Sequence, residues 1–315
     1  MPKINTINDF TAAVHTALAA AFSDHQIEIV NVTKNNDVHL TGLTIHPKNK
    51  KIAPTIYLNP YFGALQSGQA LAEVIKQIIG NCTAALSCAS SGIAVGGLTD
   101  FSRVKDKICY KLVGRNKNSE FLSAVPHRDY LDLAIVYYLQ TAITDNGTAT
   151  VTVTNDLAHI WGVDESELYD LARKNTPRLN RGIVLTLSDV LNGKAAASMH
   201  QKCGTDVYDC FDISHSKEKI LPMYVATNTA KTYGAAVILY DGLLKDVAEY
   251  ICSSGVYAIP SSVHEFICIS DTFGNAGDIK QMVQEINATE VQPDEVLSDS
   301  IYHYDVTNHE LTVIS

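Results

Sequence analysis

Leu131-Asp132-Leu133-Ala134-Ile135-Val136-Tyr137-Tyr138-Leu139, then Asp145-Asn146-Gly147, then Ala149-Thr150-Val151-Thr152-Val153-Thr154 is the stretch that decides how this chain folds. Both runs are rich in β-branched and aromatic residues, which suit a pleated, half-buried surface. The Asn-Gly pair between them accepts the positive φ angles that a tight hairpin turn demands. The centre of the chain is therefore a β-hairpin.

Working outward, Ile7, Phe10, Val14, Leu18 and Phe22 recur every three or four residues, which predicts a helix over residues 6–22 with one buried face. Asn35-Asn36-Asp37 joins two β-rich runs into a hairpin, and Thr55-Ile56-Tyr57-Leu58-Asn59 adds a third strand. A helix is expected over 64–79, started by Ser67 or by Asn59-Pro60, and another over 100–112. Asp164-Glu165-Ser166-Glu167 suits a helix N-terminus, and Asn175-Thr176-Pro177 is expected to end that helix. Met223 to Thr227, Ala235 to Tyr240 and Phe266 to Ser270 read as strands, residues 243–252 and 279–287 as helices, and the tail as a terminal hairpin.

The expected fold is α+β. Residues 1–80 form a helix, hairpin, strand and helix module, 81–99 a loop or linker, and 100–315 a larger mixed, largely antiparallel sheet with helices packed on it. Val153-Thr154-Asn155 through Trp161-Gly162 echoes Ala226-Thr227-Asn228 through Tyr233-Gly234, by duplication or by shared turn chemistry.

Of the 315 residues, 46% are hydrophobic and 18% charged, enough for a sizeable core. Lys plus Arg number 24 against 34 Asp plus Glu, a net charge of −10, so nucleic acid is not an expected partner. The short cluster Lys48, Lys50 and Lys51 reads as a solvated hairpin end. Neither a signal peptide nor a run of about 18 apolar residues is visible, so no membrane association is expected. Seven cysteines without a secretion signal point to reduced thiols in the cytosol.

Thr55-Ile56-Tyr57-Leu58-Asn59-Pro60-Tyr61, Val125-Pro126-His127-Arg128, Asp132 to Val136, Asn175-Thr176-Pro177-Arg178, Ile259-Pro260-Ser261-Ser262 with His264-Glu265, and Leu297-Ser298-Asp299 together resemble a domain-of-unknown-function family widespread in gut Firmicutes. The resemblance spans nearly the whole chain and implies a cytosolic location, encoding near conjugative elements, and no assigned activity. The plan is also similar to that of the YtpQ-type family of Gram-positive bacteria. Residues 81–97 and 194–216 depart from both patterns and look like insertions.

Three constellations carry chemistry-bearing residues. Ser261-Ser262-Val263-His264-Glu265 holds hydroxyl, imidazole and carboxylate within five residues, the ingredients of nucleophilic hydrolysis, yet a Pro-Ser turn leading into a strand uses the same residues. His127-Arg128-Asp129, with Asp132 beyond, offers a general base and an anion-binding guanidinium; charge pairing at a strand entry accounts for them equally. His200, Cys203, Cys210 and His215 have zinc-ligand chemistry but no standard spacing, so neither a metal nor a cofactor is expected. Trp161 reads as a core anchor.

Two functional expectations follow. The first is a non-catalytic binding or regulatory protein with a protein partner. The second is a hydrolase or transferase acting on a small anionic substrate, with His127, His264 and Glu265 catalytic and Arg128, Asn175, Arg178, Ser261 and Ser262 holding the ligand. It requires His127, Arg178, His264 and Glu265 to meet in one pocket.

Overall fold

The computed structural model describes residues 4–47, 55–88, 97–144, 147–191, 211–213 and 223–314. The chain divides into two compact units, residues 1–34 with 38–99, and residues 35–37 with 100–315. Lys48, Lys50, Lys51, Asp145, Asn146 and the candidate zinc ligands His200, Cys203, Cys210 and His215 lie outside the described residues.

In the first unit, α1 (Ile7–Ala21) starts at a capping box, in which Thr6 Oγ1 accepts the Asp9 amide and the Asp9 carboxylate accepts the Thr6 amide. Phe10, Val14 and Leu18 on its inner face are fully buried. The strands β1 (His25–Thr33), β2 (His39–Pro47) and β3 (Thr55–Tyr57) form an antiparallel sheet in that order. The single helix expected over 64–79 is instead two, α2 (Asn59–Gln66) and α3 (Leu71–Cys88). Gly68, at φ +100°, separates them, and Ser67 ends α2 by donating from its hydroxyl to the Gly63 carbonyl. Helix α3 runs well past the expected boundary at residue 80, because Ala and Cys in this stretch are compatible with a helix and Cys82 extends the buried row of Val74 and Ile78.

In the second unit the elements are α4 (Phe101–Val104), β4 (Ile108–Gly114), α5 (Ser119–Ser123), β5 (His127–Tyr130), β6 (Leu133–Thr144), β7 (Gly147–Thr152), α6 (Asn155–Trp161), α7 (Glu165–Leu179), β8 (Gly182–Thr186), α8 (Leu187–Leu191), β9 (Phe211–Ile213), β10 (Met223–Asn228), α9 (Leu243–Tyr250), β11 (Gly255–Ser262), β12 (Glu265–Ser270), α10 (Ala276–Thr289), β13 (Ile301–Asp305) and β14 (Glu310–Ile314). They build two sheets. In one, the long β6 pairs with β4 along one edge and with β5 and then β7 along the other. The other runs β14-β13-β11-β12-β10-β8-β9, antiparallel throughout except for the β8–β9 pair. The fold is α+β with largely antiparallel sheets, as expected.

Three expectations are corrected here. Residues 108–112 are strand, not helix: six of the seven β4 residues are buried, so no amphipathic period distinguishes the two. Residues 234–239 form a buried 3-10 turn in place of the strand read at Ala235 to Tyr240. Helix α7 continues through Pro177 to Leu179. Its last turns are held from outside, because Asn175 Nδ2 donates to the carbonyls of Lys105 (2.8 Å) and Ile108 (3.1 Å), and Thr176 Oγ1 accepts the Tyr110 amide at 3.0 Å.

Residues 35–37 contribute a distant helix cap. Asn36 and Asp37 have φ of 61° and 50°, and the Asp37 carboxylate accepts the amides of Glu120 and Phe121, each at 3.0 Å. The buried thiols of Cys109 and Cys268 are each pushed up to about 12 by desolvation, which suits small core residues. No helix among the described residues is long and apolar enough to cross a membrane.

Candidate functional site

A groove of about 550 Å³ lies where α5, the entry to β5, α6 and the start of α7 come together. Its base includes Leu122 and Val125, whose other contacts are Val113, Ala134 and Val136 beneath α5. Ser123, His127, Asn155, His159 and Glu165 give it polar walls. Helix α6 is docked here by two bonds from its first residue: the Asn155 amide donates to the Ala124 carbonyl, and Asn155 Nδ2 donates to the Ser123 carbonyl, both at 3.0 Å. Thr154 caps its N-terminus and Gly162, at φ 69°, ends it, leaving Trp161 against Phe101 as a core anchor.

His127 lies 3.1 Å through Nδ1 from the Val125 carbonyl. A carbonyl only accepts, so Nδ1 carries the proton and Nε2 of the neutral ring is left as a lone-pair acceptor. Its neighbour Arg128 points to the other face of the sheet. There it donates from Nε and Nη2 to the Glu165 carboxylate at 3.1 and 2.9 Å and stacks 3.8 Å above the Tyr169 ring. The Tyr137 hydroxyl donates to the same carboxylate. Burial and the adjacent Glu165 carboxylate push the Tyr137 phenol well above its usual range. Glu165 is thus neutralised by Arg128 and capped by Tyr137, and it also sits favourably at the first turn of α7.

The other expected site residues lie elsewhere. Arg178 donates to the Asp106 carbonyl at 2.6 Å and to Asn175 Oδ1 at 3.2 Å. His264 accepts the Tyr233 amide at Nδ1 (3.1 Å), stacks on the Tyr233 ring with centroids 6.1 Å apart, and has Glu295 3.8 Å from Nε2. Ser261 Oγ donates to Glu265 at 3.3 Å, and Ser262 Oγ accepts the His264 amide at 3.0 Å. No hydrogen bond, ion pair or ring contact given for the described residues joins His127, Arg178 and His264. The structure brings His264 together with Ser262, and Ser261 with Glu265, and leaves His127 in the groove with His159, Asn155 and Glu165.

The echoed segments adopt different structures. Thr154-Asn155 opens α6, whereas Thr227 Oγ1 donates to the His264 carbonyl (2.8 Å) and Asn228 Nδ2 to the Thr232 carbonyl (2.9 Å), closing a turn. His159 and Asn155 are the groove residues that sequence reasoning passed over. The one hint was the Thr-Asn pair, which marks turn chemistry in both places. Among the described residues, no group of three or more His, Cys, Asp or Glu is arranged to hold a metal ion.

The family model described as "Family of unknown function (DUF5688)" matches residues 7–306, and the chain belongs to that family. No curated protein and no solved structure matches the chain.

Proposed function

Starting from a family without an assigned activity, we propose that this protein is a non-catalytic binding or regulatory protein that takes a segment of a protein partner into the groove beside His127. The observation that carries the reading is a contrast in hydrogen-bonding capacity. In the groove, His127 Nε2 and Asn155 Oδ1 are both left over as acceptors, with His127 Nδ1 and one Nδ2 hydrogen of Asn155 given to the Val125 and Ser123 carbonyls. Arg178, His264 and Glu265, by comparison, each have a side-chain or backbone partner elsewhere in the fold or in the adjoining turn. A concave groove with an apolar base and a few oriented polar groups is a usual form of recognition site. A cytosolic address and service to a mobile element, which the resemblance of the chain implies, belong with this reading.

Capture from a native lysate tests it, using the wild-type chain, His159→Trp to fill the groove at an exposed position, and Arg173→Ala as a remote control. A partner retained by the wild type and the control and lost by His159→Trp is expected. Capture that His159→Trp leaves unchanged counts against the groove.

A second reading, a hydrolase or transferase on a small anionic substrate, is supported by the basic nitrogen that His127 turns to the groove. Turnover of chromogenic esters or phosphoesters by the wild type, lost in His127→Asn, would favour it; no turnover by either would sink it.

A further inference from the structure

Resting on the groove reading, we infer that the ligand is a basic segment, whose ammonium or guanidinium donates hydrogen bonds to His127 and Asn155. Two independent observations point the same way. The first is hydrogen-bond polarity. The Val125 carbonyl fixes His127 with Nδ1–H inward, and the Ser123 carbonyl fixes the Asn155 amide with Nδ2 inward, so each presents an acceptor. A ligand that only accepts, such as a carboxylate, meets no donor from His127 and only the second Nδ2 hydrogen of Asn155.

The second is charge. Residues 119–130 and 154–167, which supply the groove walls, carry the carboxylates Glu120, Asp129, Asp156, Asp164, Glu165 and Glu167 against the single cation Arg128. Arg128 is neutralised by Glu165, Asp129 by Arg115 at 3.1 Å, and Asp164 caps α7 through the Glu167 amide. Asp156 and Glu167 remain exposed on the helices beside the groove, and the whole chain has a net charge of −10. A further cation on the His127 face of the sheet, Lys111 across Val136, stands 4.3 Å from the Tyr233 ring and 5.7 Å from the Phe121 ring. The field around the groove therefore favours a cation.

The test titrates the full chain with three peptides of equal length, one rich in Lys and Arg, one in Asp and Glu, and one neutral, following backbone amide shifts at Ser123, His127, Asn155 and His159. The basic peptide is expected to shift these residues. His127→Phe and Asn155→Leu should each weaken its binding about tenfold, and Ser123→Asp, which adds a carboxylate at the wall, should tighten it. Binding of the acidic or neutral peptide in the groove overturns the basic ligand and leaves the groove as a recognition site. Binding of the basic peptide indifferent to His127→Phe and Asn155→Leu overturns it as well. Should no peptide shift these residues, the groove reading falls together with the inference.

Discussion

His127 gives its Nδ1 proton to the Val125 carbonyl and keeps Nε2 for the groove, whereas His264 accepts the Tyr233 amide, stacks on the Tyr233 ring and faces Glu295. One ring is anchored at a single nitrogen beside an open groove. The other is half-buried against a turn with no room at Gly234, where a Cβ would lie 2.2 Å from Thr227 Oγ1 and 2.3 Å from the His264 carbonyl oxygen. Lys231 and Tyr233 in the same turn hold φ of 51° and 53°, a left-handed conformation that costs a side-chain-bearing residue about 1 kcal/mol. The difference teaches that residue type does not locate a site. An Nε2 left as an acceptor marks the groove, whereas the His264 ring is held at Nδ1 and by stacking, with its Nε2 3.8 Å from Glu295.

The comparison breaks most visibly at Gly234. Gly234→Ala should destabilise the fold by on the order of 3 kcal/mol, since two of the three atoms it meets are backbone and cannot yield; chemical denaturation measures it. A wild-type midpoint would mean that the turn is loose. Next, His264→Ala leaves the Tyr233 amide without its acceptor and should cost about 2 kcal/mol, with His264→Asn recovering part of the loss.

On the groove side, Tyr137→Phe removes one donor from Glu165 and should cost about 1 kcal/mol. The sign of the pH dependence follows from the raised phenol: the folded state favours neutral Tyr137, so its contribution is complete below about pH 10 and is lost as pH rises through the higher folded value. Tyrosine absorbance during alkaline titration should therefore show one more group ionising in Tyr137-containing protein only on unfolding. The smallest effect belongs to His127→Phe and Asn155→Leu, each expected to change stability by about 0.5 kcal/mol or less while weakening groove binding about tenfold. A loss as large as that of His264→Ala would make the two histidines equivalent, and the contrast would collapse.

Much of the first unit could be read from the residues. Thr6, Phe10, Val14 and Leu18 carry both the start and the buried face of α1, and Asn35-Asn36-Asp37 marks its hairpin turn, because caps and turns are local chemistry. Strand β4 and the 3-10 turn at Gly234–Leu239 were misread because burial on all sides removes the periodicity that separates strand from helix. In the candidate site, His127 drew attention by its residue type, while Asn155 and His159 on a short helix carried no comparable mark.

Composition, charge, turn residues and the α1 pattern were settled by the amino-acid sequence alone, since each depends on neighbours a few positions away. Which nitrogen of each imidazole is engaged, and as donor or acceptor, was decided only by the tertiary structure. That choice hangs on the Val125 carbonyl for His127, and on the Tyr233 amide, 31 residues away in the chain, for His264. A distant donor can consume a side chain's hydrogen-bonding capacity, and nothing in the local sequence records that it has done so.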